Sequence, residues 1–113
     1  MGNLHLERGI AHKIEGDYDA ALAELKEALA EDPECGEAHH QIGLVYGFTG
    51  EFELSIEALQ KAVGMDGGNI TTINDLALTY SMLGMYDEAR ASFEEVLRQD
   101  PTNAVAKKNL SLI

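Results

Sequence analysis

At 113 residues the chain has the length of one domain, and its 45% share of apolar residues contains no tryptophan, so Leu, Ala, Ile, Val and a few Tyr and Phe must build the core. Twenty acidic against eight basic side chains give a formal charge of -12, which repels phosphate backbones and anionic lipid surfaces and argues against nucleic acid or membrane as partner. A single cysteine forms no internal disulfide, the start MGNLHLERGI lacks a basic and then apolar leader, and no segment approaches the roughly 18 apolar residues that span a bilayer; the expected compartment is the cytoplasm, unless the chain is a piece of a longer one.

In chain order, the apolar spacing predicts a helix over 3–15, in which Leu6, Ile10 and Ile14 recur at steps of four and Gly9 supplies a small side. Gly16 offers the positive φ of a tight reversal, and Asp17 can cap a second helix over 18–31, where Leu22, Leu25, Ala28 and Leu29 recur at steps of three and four. Pro33 ends it. Cys35 and Gly36 open a third helix over 36–48, with Ile42, Val45 and Tyr46 on one face and Leu44 and Phe48 on another. Gly50 reverses the chain into 53–64. Asp66, Gly67 and Gly68 then read as a turn, because no strand precedes them to make a phosphate-binding loop. A fifth helix over 70–82 carries Leu78 and Met82, Gly84 turns it into 87–99, and Pro101 stops that. AVAKKNLSLI begins a seventh helix behind Thr102 and Asn103, and its Leu110 can cover the apolar end of the preceding pair.

Slid against itself by 34 residues, the chain matches itself in register. Gly16, Gly50 and Gly84 align, as do Tyr18, Phe52 and Tyr86; Ala21, Ser55 and Ala89; Leu25, Leu59 and Phe93; Ala28, Ala62 and Val96; Gly9, Gly43 and Ala77; His12, Tyr46 and Tyr80; and Pro33, Gly67 and Pro101. The small residues have a packing reason: where Gly9 or Gly43 faces Ala21 or Ser55, two helix backbones approach closely, and the aromatic at Tyr18, Phe52 or Tyr86 fills the space beside the crossing. One helix pair buries too little apolar surface to stand alone, so the pairs stack.

These columns resemble the tetratricopeptide repeat family from Gly2 to Asn103. The departures are His5, His39 and Ile73 where the family often has Trp, Arg8 where it prefers Leu, His12 for Tyr, and Gly67 for Pro. The resemblance implies an all-α fold, a right-handed α-solenoid of three helix-turn-helix repeats (2–35, 36–69 and 70–103) with a capping helix over 104–113. It also implies that the first helix of each repeat lines a concave groove. The groove residues by that register are Asn3, Leu6, Ile10, Lys13, Ile14, Glu37, His40, Leu44, Gly47, Phe48, Thr71, Asn74, Leu78, Ser81 and Met82. For Ile14, Phe48 and Met82, packing against neighbouring first helices fits the same spacing. Members that hold the C-terminal carboxylate of chaperones use a clamp of Lys, Arg and Asn on first helices. The matching places here hold Leu6, Ile10, Gln41, Thr71 and Asp75, none of them basic, so a chaperone carboxylate is not expected to bind.

The one cluster that suggests other chemistry is CGEAHH. Cys35 and His39 stand four apart, as two ligands on a helix would, but His39 and His40 are turned about 100° from each other and zinc needs further ligands. A Cys-His nucleophile lacks an orienting third group and an oxyanion site, and the scattered carboxylates lack the spacing of a calcium loop. His39 is expected to pack and His40 to face the groove. No catalytic, cofactor-binding or metal site is expected. The expected function is a protein-interaction scaffold that takes a peptide with apolar anchors and basic flanks. Its rivals are self-assembly through the open repeat ends, favoured by the apolar Leu112 and Ile113, and a metal or thiol site at Cys35, His39 and His40.

Overall fold

The computed structural model describes residues 3–66 and 69–113 and is all-α, with no strand among the described residues. Its helices are α1 (Leu4–Ile14), α2 (Tyr18–Glu31), α3 (Gly36–Phe48), α4 (Phe52–Asp66), α5 (Ile70–Met82), α6 (Tyr86–Gln99) and α7 (Ala104–Leu110). They pair as hairpins, α1 with α2, α3 with α4 and α5 with α6, and each second helix then packs on the first helix of the next pair. First helices touch one another only lightly. The expected turn at Gly67 and Gly68 lies outside the described residues.

The helix ends follow from local chemistry. Gly16, Gly50 and Gly84 take φ of 83°, 81° and 74°, the left-handed region that any other L-residue enters at a cost. Asn3 caps α1 by accepting from the Leu6 N–H, Asp17 caps α2 through the Ala20 N–H, Asn69 caps α5 through Thr71 and Thr72, and Asn103 caps α7 through Ala106. Cys35 stands at the N-cap of α3 without making a side-chain cap, so the sequence expectation that it merely turns the chain matches its geometry.

Inside a hairpin the helices meet where glycine leaves room. A Cβ on Gly9 would fall 2.6 Å from Leu25 Cγ and 3.3 Å from the Ala21 carbonyl oxygen; one on Gly43 would fall 2.7 Å from Leu59 Cγ and 3.3 Å from the Ser55 carbonyl oxygen. The Ser55 hydroxyl donates to the Gly43 carbonyl at 2.7 Å across this crossing. Ala21, Leu25, Ile42, Val45 and Ala58 form one buried cluster. Leu59, Ile73, Leu76, Ala77, Tyr80, Ala89, Phe93, Val96 and Ala106 form a second, on which Leu110 and Ile113 pack. The aromatic column divides: Tyr18 packs against the first cluster, whereas Tyr86 is 51% exposed. Tyr18 gains a ring partner in Phe48, and Met82 stands one period after Phe48.

α1 and α2 are also linked by charge. His5 Nδ1 lies 2.6 Å from Glu24 Oε2, and its Nε2 lies 3.4 Å from Glu31 Oε1. The hydrogen bond to Glu24, aided by the negative charge of Glu31, Glu24 and Glu27 and opposed by partial burial, holds the His5 pKa above its usual 6.5. The same bond holds Glu24 below 4.5.

The crossing predicts opposite outcomes for two glycines in similar helical backbone. Gly43→Ala is expected to lower stability in chemical denaturation, because overpacking costs about 1–3 kcal/mol against a helix-propensity gain of about 0.5–1 kcal/mol. Gly64→Ala, whose Cβ meets nothing within 4 Å, should keep that gain. The His5 link predicts a pH window. A raised histidine contributes fully below 6.5 and loses its contribution as pH rises through its folded value; a lowered Glu24 contributes above 4.5 and loses it as pH falls through its own. The stability difference between wild type and Glu24→Gln should therefore be largest between 4.5 and 6.5 and shrink at alkaline pH. In the variant the His5 ring titration followed by NMR should move back towards 6.5.

Candidate functional site

At 100° per residue, α3 turns His40, Leu44, Gly47 and Phe48 to one side, and His39, Ile42 and Tyr46 to another roughly 140° away. The first side opens onto a recess of about 300 Å³ between α3 and α5. Leu44 and Phe48 from α3 and Leu78 and Met82 from α5 form its apolar walls, and Asp75 and Thr79 add polar atoms. Ser55 and Leu59 of the underlying α4 form part of the lining. Both are buried at its base, beneath Gly43 and Gly47, which carry no side chains. A Cβ on Gly47 would meet nothing nearer than Ser55 Oγ at 3.7 Å.

Ile14, Phe48 and Met82, whose spacing fitted core as well as groove, are 76%, 60% and 67% exposed. Phe48 is not loose: its ring stacks on Tyr18 with centroids 5.7 Å apart and planes 24° from parallel. The stack ties the rim of the recess to the second helix of the preceding pair. Leu6 packs instead against the first cluster, and Asn3 donates to the Ala28 carbonyl while capping α1. These two places serve the stack as well as any ligand.

Several polar residues of the expected groove are engaged with side chains outside it. Lys13 Nζ donates to Gln41 Oε1 at 2.5 Å, and Gln41 Nε2 donates to Glu37 Oε1 at 2.7 Å, a link from α1 to α3. From α3 to α5 the link is His40 Nε2 to Asp75 Oδ2 at 2.7 Å. His40 lines a second, polar recess of about 500 Å³ with Gly36, Glu37, Met65, Asn69, Thr71 and Thr72, so the His40–Asp75 pair separates the polar recess from the apolar one.

Two expectations need correction. His40 is not an open groove residue: it is 8% exposed, because α5 brings Asp75 onto its ring. Asn74 is also buried, its Nδ2 donating to Asn103 Oδ1 at 3.2 Å, which ties α5 to the cap of α7. Among the described residues, the buried Oδ1 of Asn74 and the Ser81 hydroxyl find no partner. Thr71 is exposed and Ile10 half-buried. Gln41 and Asp75, named from the sequence only as clamp places, share a column with Glu7, one place after Leu6, His40 and Asn74. Ser55, Leu59 and Thr79 carried no such signal.

The cluster at Cys35 is dispersed. His40 turns to Asp75, and His39 Nε2 lies 3.3 Å from the Pro33 carbonyl, a contact made when that nitrogen carries the proton. Among the described residues, no group of three or more His, Cys, Asp or Glu side chains could hold a metal ion.

Compared with known families, residues 2–35 and 36–102 match two profiles, both described as tetratricopeptide repeat. The chain belongs to the tetratricopeptide repeat family. No curated protein matches the sequence. Among solved structures, this repeat fold resembles the first TPR of Spaghetti (RPAP3) bound to the HSP90 peptide SRMEEVD, at a TM-score of 0.90 and 20% identity over 96% of this chain and 86% of that one. It resembles equally MamA, at a TM-score of 0.90 and 24% identity over 96% of this chain and 63% of that one, so this chain spans less than two thirds of MamA. The second TPR domain of human RPAP3, in complex with the HSP70 peptide SGPTIEEVD, gives 0.88 at 24% identity over 95% and 89%. At such identities the likeness shows the fold.

The buried link predicts a coupling energy. In a double-mutant cycle, His40→Phe and Asp75→Leu should each destabilise the tetratricopeptide fold, and the pair should cost less than the sum by about 0.5–3 kcal/mol. Strict additivity in urea unfolding would show that the two side chains stabilise nothing jointly.

Proposed function

We propose that this chain is a non-enzymatic protein-interaction scaffold that binds a peptide segment across its first helices. An apolar anchor enters the recess between α3 and α5, and basic residues flank it. The observation that carries this reading is the recess itself: Leu44, Phe48, Leu78 and Met82 surround it, two of them more than half exposed, and the carboxylate of Asp75 is in its wall. Exposed apolar surface gathered beside a fixed charge favours an amphipathic ligand over a purely apolar one. The charge of -12 speeds the approach of a cationic segment, an effect that salt screens.

Two of the fold's neighbours carry chaperone peptides that end in EEVD. The places that the family register assigns to a carboxylate clamp hold Leu6, Ile10, Gln41, Thr71 and Asp75 here. Asp75 would put a negative charge against a negative tail, and the single groove lysine, Lys13, is engaged with Gln41. The ligand we infer is therefore not a chaperone carboxylate. A second reading, self-association, draws on the far end of the stack, where Leu112 is 70% and Val105 43% exposed.

A short amphipathic peptide with leucines on one face and lysines on the other should bind wild type and lose about tenfold or more in affinity to Leu44→Asp, which removes an apolar wall and leaves the helical circular dichroism in place. A peptide ending in EEVD should show no binding at micromolar concentration; measurable binding would overturn the charge argument. Light scattering on the same samples separates the readings. A mass that rises with concentration and ignores Leu44→Asp supports self-association.

A further inference from the structure

We propose a second docking site on the opposite flank of α3, a cleft that takes an acidic, amphipathic peptide segment. The cleft has a volume of about 200 Å³ and runs between α2 and α4, with α3 beneath it. Its apolar surface comes from Leu29, Ile42, Tyr46, Leu54 and Ala58. Leu54 is 43% exposed at its edge, so apolar surface there is open to a partner.

Charge identifies the occupant. Eight basic residues are spread over a chain with twenty acidic ones, yet the cleft is lined by two lysines, Lys26 and Lys61, and by His39, against one carboxylate, Glu57. Glu57 is already 3.5 Å from Lys61 on the same helix. Lys26 makes no ion pair among the described residues, and from α2 it faces the cleft opposite Lys61 of α4. The two lysines therefore bracket an apolar floor from opposite walls, which suits a helical or extended segment whose apolar residue enters while carboxylates on either side meet Lys26 and Lys61. The whole-molecule charge opposes an acidic ligand at long range. At physiological salt, where the Debye length is about 8 Å, that opposition is largely screened while contacts at the rim are not.

This site shares no lining residue with the apolar recess, and Ile42 and Tyr46 point away from Leu44 and Phe48 around α3. It stands apart from the groove reading, and the two fail separately. The test is an NMR titration of the isotope-labelled chain with two blocked peptides of one leucine pattern, one bearing glutamates and one lysines, near 0.15 M salt. The glutamate peptide is expected to shift the amides of Leu29, Ile42 and Ala58. Lys26→Glu combined with Lys61→Glu should weaken it about tenfold or more and leave binding of the lysine peptide at the recess unchanged. Leu54→Asp should weaken the glutamate peptide without changing the fold, because that side chain is already at the surface. The proposal fails if the glutamate peptide produces no shifts at the cleft, if the lysine peptide binds there as tightly, or if the charge reversals leave affinity intact.

Discussion

In the first two hairpins a glycine on one helix lies directly against a leucine on the next. Leu25 occupies the space a side chain on Gly9 would need, and Leu59 does the same at Gly43. Because interiors are close-packed, this contact fixes how near and at what angle the two helices of a hairpin lie. Everything further out inherits that geometry. The third pair does the same with Ala77, Ala89 and Phe93, all buried in one cluster: one side gains a methyl group, and the aromatic ring takes the place of leucine.

The same economy of side chains creates the candidate site. Gly43 lies against Leu59 and lines the recess, and Gly47, one turn on, passes over the buried Ser55 without a side chain of its own. Close packing and the candidate site thus adjoin on one stretch of α3, separated by a single helical turn. The polar side chains of the recess are engaged within the fold, Asp75 with His40, Thr79 with the Asp75 carbonyl and Ser55 with the Gly43 carbonyl. A ligand gains most where apolar surface is open to solvent, at Phe48 and Met82, and must offer a replacement wherever it displaces an internal bond. On its other flank, α3 contributes Ile42 and Tyr46 to a cleft bordered by lysines, so one helix serves two surfaces of different electrical character.

The fold was legible in the sequence because its determinants are local and recur with the repeat. Three glycines at one spacing announced three turns, and steps of three and four announced the helices. The limits of the first six helices agree with those expectations to within two residues, for instance 53–64 against Phe52–Asp66, whereas the seventh ends at Leu110, short of the expected 113. The site was less legible because it depends on what lies opposite. His40 and Leu44 occupy neighbouring positions on α3, yet one is buried under Asp75 and the other lines an open recess. That difference arises from α5, some 35 residues along the chain. Exposure of Phe48 and Met82 likewise depends on neighbours that helical periodicity does not encode, and the contribution of Ser55 and Leu59 is visible only once the glycines above them are placed in space.

The light contact between first helices has a mechanical consequence. α1, α3 and α5 are held mainly through the second helices between them, and they touch one another little. In a stack where each unit meets only its neighbours, small rotations at successive junctions add up. The breadth of the recess is then an elastic quantity, set by the sum of junction angles. Two polar struts cross directly from one first helix to the next, Lys13 to Gln41 and His40 to Asp75, and they act as stiffeners on the open side of a spring.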